Sequence, residues 1–130
     1  MTKEPRQATI LVVDDDEAFG KATADILRHN GHETHRATSA AQALRILENM
    51  TPDLMLIDIM MPEVDGLSLI RILARNPKML YTPMVVVSAK AQDSDIGEAW
   101  WAGAEGYLTK PFTSQELLQR VDHMLSRLPL

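Results

Sequence analysis

Acidic, hydroxyl and ammonium side chains stand at or just beyond the ends of short apolar runs, and together they could transfer a phosphoryl group. The positions are Asp14, Asp15, Asp58, Ser88 and Lys110. A carboxylate can attack phosphorus and form an aspartyl phosphate. Ammonium and hydroxyl groups can bind phosphoryl oxygens, and a cation held by the other carboxylates can neutralise the transferred charge. Asp58 is the candidate nucleophile because it stands alone after its apolar run.

The charge of this cluster points to a bound cation. Asp14, Asp15 and Asp58 contribute three negative charges and Lys110 one positive charge, a sum of −2. Two carboxylates about 5 Å apart repel each other by about 3 kcal/mol at an effective dielectric constant of about 20. A retained proton or a bound cation would relieve that repulsion. Mg²⁺ suits oxygen ligands beside phosphoryl groups, so we expect Asp15 and Asp58 to bind it and Asp14 to act through water.

The apolar runs predict the strands that bring these residues together. Residues 10–13, 54–57 and 84–87 are continuously apolar, which is typical of strands buried on both faces of a parallel sheet. Glu33–Ala37 and residues 106–108 are weaker strand candidates. The carboxyl ends of parallel strands share one edge, and ligands bind there at the switch point of the strand order. The polar residues after the strands should therefore converge.

Helical patterns alternate with these strands. The predicted helices are Glu17–His29, residues 39–50, Gly66–Ala74, residues 94–102 and residues 113–127. We expect the first helix to bury a stripe containing Phe19, Ala22, Ile26 and Leu27. The alternation predicts one α/β domain over residues 9–128, with a parallel sheet covered by helices on both faces, after a flexible N-terminal tail of residues 1–8.

The composition excludes several classes of protein. The chain has 130 residues, a formal net charge of −5 and no cysteine. The acidic balance argues against direct binding of nucleic acid or an anionic membrane, and the absence of cysteine excludes disulfides and thiolate sites. No apolar run approaches the roughly 18 residues of a membrane span, so we expect a cytoplasmic protein. The histidines lack metal-ligand spacing and are expected to be exposed or hydrogen-bonded: His29, His32, His35 and His123.

Four stretches of the chain resemble the receiver domains of two-component response regulators. They are ILVVDDDEAF from residue 10, DLMLIDIMMPEVDG from residue 53, the strand ending in Ser88-Ala89, and GAEGYLTKPF from residue 103. Together they extend over nearly the whole chain. The resemblance implies a flavodoxin-like, doubly wound (βα)5 three-layer sandwich, in which a five-stranded parallel sheet has the order 2-1-3-4-5.

The resemblance also implies a role for each motif residue. Asp58 would be the phosphoacceptor. The metal ligands for Mg²⁺, with Mn²⁺ as a substitute, would be Asp14, Asp15, Asp58 and the backbone carbonyl of Met60. The phosphate-contacting and switch residues would be Ser88, Ala89, Tyr107 and Lys110. The peptide bond between Lys110 and Pro111 would be cis.

The implied function is a phosphorylation-dependent signalling switch that catalyses only its own phosphorylation and slow dephosphorylation. The donor would be a sensor histidine kinase or a phosphotransfer protein, and the surface of the fourth helix, fifth strand and fifth helix would control an output domain or protein. We expect Ile96, Trp101 and Tyr107 to belong to that partner surface. Neighbouring helical residues point about 100° apart, so we assign Trp100 to the core and Trp101 to the surface.

The chain departs from the receiver subfamily that has winged-helix DNA-binding outputs. In that subfamily the same surface pairs charges across an active dimer. Here Ile96 and Trp101 are apolar, Gly106 stands where an Asp is usual, and Asp122 stands where a basic residue is usual. A phosphorylation-dependent homodimer is therefore left open.

Other classes of protein share parts of this pattern. A Mg²⁺-dependent phosphohydrolase with an Asp nucleophile would carry a second acid two residues after Asp58, where this chain has Met60. A flavodoxin-like nucleotide or flavin module would need a Gly-, Ser- or Thr-rich loop after the first strand, where Asp14, Asp15 and Asp16 stand instead. We expect Asp16 to cap a helix. The complete acidic set argues against a scaffold that never needs phosphate.

Overall fold

The apolar runs form the strands of a single sheet. The computed structural model describes residues 7–61, 65–89 and 92–127; the predicted tail through residue 6 lies outside them, as does residue 128 at the predicted end of the domain. The strands are β1 Thr9–Val13, β2 Glu33–Ala37, β3 Leu54–Asp58, β4 Met84–Ser88 and β5 Gly106–Thr109. They pair in parallel in the order β2-β1-β3-β4-β5, which confirms the predicted fold class.

The sheet register brings the polar strand ends to one level. Val13 of β1 lies opposite Ile57 of β3, so the residues that follow them, Asp14 and Asp58, leave the sheet side by side. Asp58 in turn lies opposite Val87, one residue before Ser88. The switch point between β1 and β3 therefore carries two of the candidate acids.

Local side-chain caps start four of the α-helices. The helices are α1 Glu17–His29, α2 Ala40–Leu47, α3 Gly66–Ala74, α4 Asp93–Ala102 and α5 Ser114–Ser126, with a short 3₁₀ helix at Pro77–Met79. The capping side chains each accept a backbone N–H bond in the first turn: Asp16, Ser39, Asp65 and Thr113. Asp16 is thus a cap, as expected. The second helix is shorter than predicted and ends at Leu47.

Alternate residues of the strands face two separate apolar layers. Ile10 and Val12 of β1 pack with α1 and α5, whereas Leu11 and Val13 pack with α2, α3 and α4. The helices therefore cover both faces, which gives the predicted three-layer sandwich. None of the described helices is long and apolar enough to cross a bilayer.

One prediction about a helix face is wrong in part and another is wrong outright. The buried face of α1 consists of Gly20, Thr23, Ala24 and Leu27. Leu27 is buried as expected, but Ala22 is exposed and Phe19 and Ile26 are only partly buried, so the inward stripe is rotated from the expected one. Small residues on that stripe let the helix approach the sheet closely.

Trp100 is not a core residue: it is 50 % exposed, and Trp101 is 93 % exposed. The inward side of α4 is formed by Ala99 and Ala102, which are buried. Because successive helical residues point about 100° apart, Trp100 lies on the flank of the stripe that Ala99 defines. Both indole rings of the chain therefore reach the surface of one helix.

His32 is buried at the end of the sheet opposite the strand carboxyl ends. Its Nδ1 accepts a hydrogen bond from the Ala8 backbone N–H at 3.1 Å. Its Nε2 has no hydrogen-bond partner in the part of the chain that the structure describes. Burial lowers the pKa of His32, and the charge of Asp122 opposes that effect. The expectation of an exposed or fully hydrogen-bonded side chain is therefore wrong for His32.

Candidate functional site

Asp14 leaves β1 as a buried carboxylate. Its backbone N–H donates to the Ala37 carbonyl at 3.0 Å, which continues the sheet by one residue. Its Oδ1 accepts a hydrogen bond from the Asp16 backbone N–H at 2.9 Å. Asp15, between them, is exposed. The turn from β1 to α1 thus buries one acid, exposes the next and uses the third as the helix cap.

Asp58 closes β3 and is 6 % exposed. Its Oδ1 accepts the Met60 backbone N–H at 2.8 Å, which fixes the orientation of the carboxylate. The Met60 side chain is 51 % exposed, and Pro62 of the same loop lies outside the described residues. The candidate nucleophile is therefore held by backbone on one side and opens towards the acids of β1 on the other.

Lys110 joins the two buried acids. Its Nζ lies 2.8 Å from Asp14 Oδ2 and 3.1 Å from Asp58 Oδ2. Its backbone N–H donates to the Ser88 carbonyl at 2.8 Å, so the segment after β5 remains aligned with β4. The Lys110–Pro111 peptide bond is cis. One ammonium group thus bridges side chains at the ends of the neighbouring strands β1 and β3.

The pKa shifts follow from burial and from this bridge. Burial raises the pKa of Asp58, and the charge of Asp14 adds to the rise, while hydrogen bonds from Met60 and Lys110 oppose it. Burial acts to lower the pKa of Lys110, but the hydrogen bonds and charges of Asp14 and Asp58 outweigh it and raise that pKa. The ammonium is therefore charged at neutral pH, and together with the Met60 backbone N–H it favours the ionised form of Asp58.

The carboxylates are grouped tightly enough to bind a metal ion. One oxygen each from Asp14, Asp15 and Asp58 lies within 4.8 Å of the others. Mg²⁺ takes oxygen ligands and keeps several waters, so a set of carboxylates with one exposed member fits it. With Lys110 included, the four side chains retain two negative charges in excess. The donor set therefore suits a hard divalent cation.

Ser88 and Tyr107 lie together beside the acids. Ser88 is fully buried at the end of β4, and Tyr107 is partly buried in β5. The Tyr107 side chain is hydrogen-bonded to Ser88; burial raises the pKa of Tyr107 and this hydrogen bond opposes the rise. Ala89 is exposed after the strand. A hydrogen bond thus joins the side chains of Ser88 and Tyr107.

Two residues at the site were not predicted. The Phe19 ring lies under Lys110, with Nζ 4.1 Å from the ring centroid. Gly66, the first residue of α3, packs against the backbone of Asp58 and Ile59. The glycine of the DG pair at residues 65–66 was a usable signal. Phe19 closes the motif ILVVDDDEAF, but its contact with Lys110 could not be predicted because it depends on the rotation of α1.

The expected partner surface is only partly exposed. Trp101 is almost fully exposed, while Ile96 and Tyr107 are partly buried. Trp100 adds a second exposed indole on α4. The surface therefore centres on two tryptophans, with Ile96 and Tyr107 nearer the core.

The fold and the edge cluster define a flavodoxin-like α/β domain with an acidic site, and comparison with known proteins gives the family. Residues 10–122 match the family model described as the response regulator receiver domain. The chain belongs to this family of two-component signal transduction domains.

Curated relatives of the chain support this family assignment. The chain is 38% identical over 118 residues to the response regulator MprA of a Mycobacterium species, covering 91% of this chain and 50% of that protein. It is 34% identical over 119 residues to the phosphate regulon transcriptional regulatory protein PhoB of Pseudomonas aeruginosa, covering 92% of this chain and 52% of that protein. The chain thus spans about half the length of these curated relatives, which are signalling proteins and not metabolic enzymes.

Solved structures agree as well. The receiver domain of the Francisella response regulator 1452 superposes with a TM-score of 0.85 at 33% identity, covering 93% of this chain and 98% of that one. The chemotaxis response regulator CheY4 of Vibrio cholerae gives a TM-score of 0.87 at 24% identity, covering 92% and 99%. The latter likeness concerns the fold alone.

Proposed function

We propose that this domain is a phosphorylation-dependent switch in which Asp58 accepts a phosphoryl group from a phosphohistidine on a sensor histidine kinase or a phosphotransfer protein. A carboxylate oxygen of Asp58 attacks phosphorus, the N–P bond of the donor breaks, and the imidazole leaves. The observation that carries this proposal is the bridge from Lys110 to Asp14 and Asp58. It favours the ionised form of a buried nucleophile against the effect of burial, and it places a positive charge where phosphoryl oxygens would come.

Mg²⁺, with Mn²⁺ as a substitute, is the proposed cofactor. Asp14, Asp15, Asp58 and the Met60 backbone carbonyl would hold it, and Asp14 would act through water. The bound ion would neutralise charge on the transferred group. The grouping of three carboxylates supports this assignment.

The remaining motif residues are proposed to respond to phosphorylation of Asp58. Ser88, Ala89 and Lys110 would contact phosphoryl oxygens. Tyr107 would follow Ser88, because the two side chains are hydrogen-bonded. The surface of α4, β5 and α5, with Ile96, Trp101 and Tyr107, would then change its affinity for an output domain, an output protein or a second copy of the chain.

Turnover on external substrates is the weaker alternative. A phosphohydrolase needs a proton donor for the leaving group, and the residue two positions after Asp58 is Met60, whose side chain cannot transfer a proton. We therefore propose that catalysis is limited to phosphorylation of the domain itself and to slow hydrolysis of the aspartyl phosphate.

The test is incubation with phosphoramidate and Mg²⁺ followed by intact mass measurement. The wild type should gain the mass of one phosphoryl group and Asp58→Asn should not. Asp16→Asn is the matched control, because Asn also caps helices and Asp16 lies beside the site without belonging to it. A phosphoryl adduct on Asp58→Asn would refute the site assignment. Equal labelling with and without Mg²⁺ would refute the role of the metal.

A further inference from the structure

Within the part of the chain that the structure describes, the ammonium group of Lys110 contacts three side chains. Two are the carboxylates of Asp14 and Asp58, and the third is the face of the Phe19 ring, whose centroid lies 4.1 Å from Nζ. An ammonium group has three N–H bonds, so the two carboxylates and the ring provide one partner for each. A cation over an aromatic face is attracted by the ring quadrupole, and more strongly where water is excluded.

We infer that Phe19 is a positioning residue for phosphoryl transfer, which holds the Lys110 ammonium towards the two carboxylates and keeps water from its third side. This inference rests on the proposed function of Asp58. Phe19 does not touch the reacting atoms and acts through Lys110.

The ring is itself held from two directions. The Phe19 backbone N–H donates to the Asp16 side chain at 3.0 Å, which fixes the first turn of α1 beside the acids. The Phe112 ring meets Phe19 edge-on, with centroids 5.2 Å apart and planes at 85°. Phe112 follows Lys110 by two residues, so Lys110 and the aromatic residue that packs against Phe19 belong to one segment. The Phe19 ring is therefore held between the first turn of α1 and the segment that carries Lys110.

An aromatic face suits this third side better than a polar group would. A carboxylate there would add another strong acceptor and compete with phosphoryl oxygens for the ammonium. A water molecule would have to be displaced or reoriented whenever the phosphoryl group arrives. The ring attracts the cation without a directional lone pair, so Lys110 can turn towards phosphoryl oxygens without leaving it. The Lys110 side chain is accordingly only 16% exposed.

The test compares Phe19→Leu, which keeps an apolar side chain without a ring, with Phe19→Tyr, which keeps the ring face. The partly buried Ile26 lies on the same helix outside the site, so Ile26→Val controls for general disturbance of α1. The first measurement is the proton chemical shift of the Lys110 ε-methylene group, which the ring current moves upfield. We expect this displacement in the wild type, Phe19→Tyr and Ile26→Val, and its loss in Phe19→Leu.

The second measurement is the initial rate of labelling by phosphoramidate with Mg²⁺. Phe19→Leu should be about two- to five-fold slower, as expected from the strength of a cation–π contact, and Phe19→Tyr should restore the rate. Equal rates for Phe19→Leu and the wild type would overturn the inference, as would a Phe19→Tyr variant as slow as Phe19→Leu. If the wild type takes no phosphoryl group, the proposed function fails. In that case the chemical shift of the Lys110 ε-methylene protons is the only test of the contact between Phe19 and Lys110. An unchanged chemical shift in Phe19→Leu would then refute that contact.

Discussion

A Cβ atom at Gly66 would overlap the backbone carbonyl oxygen of Asp58. The same atom would lie 2.6 Å from the Cα atom of Ile59, and both obstacles are backbone, so a rotamer change could not relieve them. The Gly66 N–H also donates to the Ile59 carbonyl at 3.3 Å. The start of α3 is therefore packed directly on the strand end that carries the candidate nucleophile.

Gly66→Ala should destabilise the fold and disturb the site together. Separating the two backbones is a form of overpacking, so we expect a loss of about 1–3 kcal/mol in the free energy of unfolding. Urea denaturation measures this loss, and labelling by phosphoramidate should slow as well because Asp58 must shift. Gly97→Ala is the matched control. A Cβ atom there meets nothing within 4 Å, and the change should stabilise α4 by about 0.5–1 kcal/mol. Equal effects at the two glycines would contradict the packing argument.

Asp58→Asn should make the metal-free domain more stable at neutral pH. Burial raises the pKa of Asp58 in the folded chain, so the folded state binds this proton more tightly than the unfolded state does. Stability therefore falls as pH rises from the ordinary pKa of about 3.9 through the raised folded value. Asn does not titrate, so the extra stability of Asp58→Asn over the wild type should vanish below about pH 4. This difference in stability should also shrink when Mg²⁺ is added to both proteins.

Urea denaturation from pH 3.5 to pH 8, in chelator and in Mg²⁺, measures the difference. Glu98→Gln removes an exposed carboxylate from α4 and should stay within about 0.5 kcal/mol of the wild type throughout. A wild type that is more stable than Asp58→Asn at pH 7 in chelator would show that the Lys110 bridge outweighs the burial of the carboxylate.

Lys110→Met should lower stability and increase the response to Mg²⁺. The change leaves Asp14 and Asp58 facing each other without their shared cation, at an expected cost of about 1–3 kcal/mol. The cluster charge changes from −2 to −3, so a divalent cation should bind more tightly. Thermal unfolding over a Mg²⁺ titration measures both effects.

Lys21→Met is the control for loss of one positive charge. Its ion pair with Asp25 lies at the surface, with side chains 68% and 52% exposed, so its loss should cost less than about 1 kcal/mol. A Mg²⁺ response in Lys110→Met no larger than in Lys21→Met would contradict the proposed cation site.

His32 should make the domain less stable in mild acid. The neutral ring accepts the Ala8 N–H, and burial lowers the pKa of His32, so the unfolded chain binds the proton more readily. Stability is therefore complete above the ordinary pKa of about 6.5 and falls as pH drops below it. His32→Asn keeps an acceptor for Ala8 without this titration and should flatten the profile between pH 7 and pH 5 in urea denaturation. His29→Gln, at an exposed histidine, should keep the wild-type slope.

Trp101→Ala should leave folding unchanged and weaken partner binding by the phosphorylated form. Its side chain is 93% exposed, so the stability change should stay within about 0.5 kcal/mol. If the indole is a hot spot, binding should weaken by about ten-fold or more. Sedimentation velocity measures self-association, and titration with the output partner measures the other complex. Leu80→Ala, an exposed apolar residue outside this surface, is the control. No change in either complex would refute the partner surface.

The strands and the acids were predictable because the signals are local and repeated. A continuously apolar run followed by Asp14 or Asp58 needs no knowledge of the rest of the molecule, since parallel strands deliver their ends to one edge. The cap at Asp16 is equally local. These local features were sufficient to predict the fold class and to predict that Asp14, Asp58 and Lys110 lie close together.

The inward faces of α1 and α4 differ from the predicted ones because they depend on how the helices pack against the sheet. The inward face of α1 follows Gly20 and Leu27, and only that rotation brings Phe19 to Lys110. The stripe of α4 is formed by small Ala99 and Ala102, which give a weak apolar pattern beside the large Trp100. Such contacts arise from distances between elements, which no single stretch of sequence encodes.

The exposed pair on α4 has an optical consequence. Trp100 and Trp101 are the only tryptophans of the chain, so its indole emission comes from one side of one helix. Because both rings already meet solvent, unfolding should shift the emission maximum little. A partner that covers them should shift it to shorter wavelength. The domain thus carries an intrinsic fluorophore for recognition events, and its folding is better followed by circular dichroism.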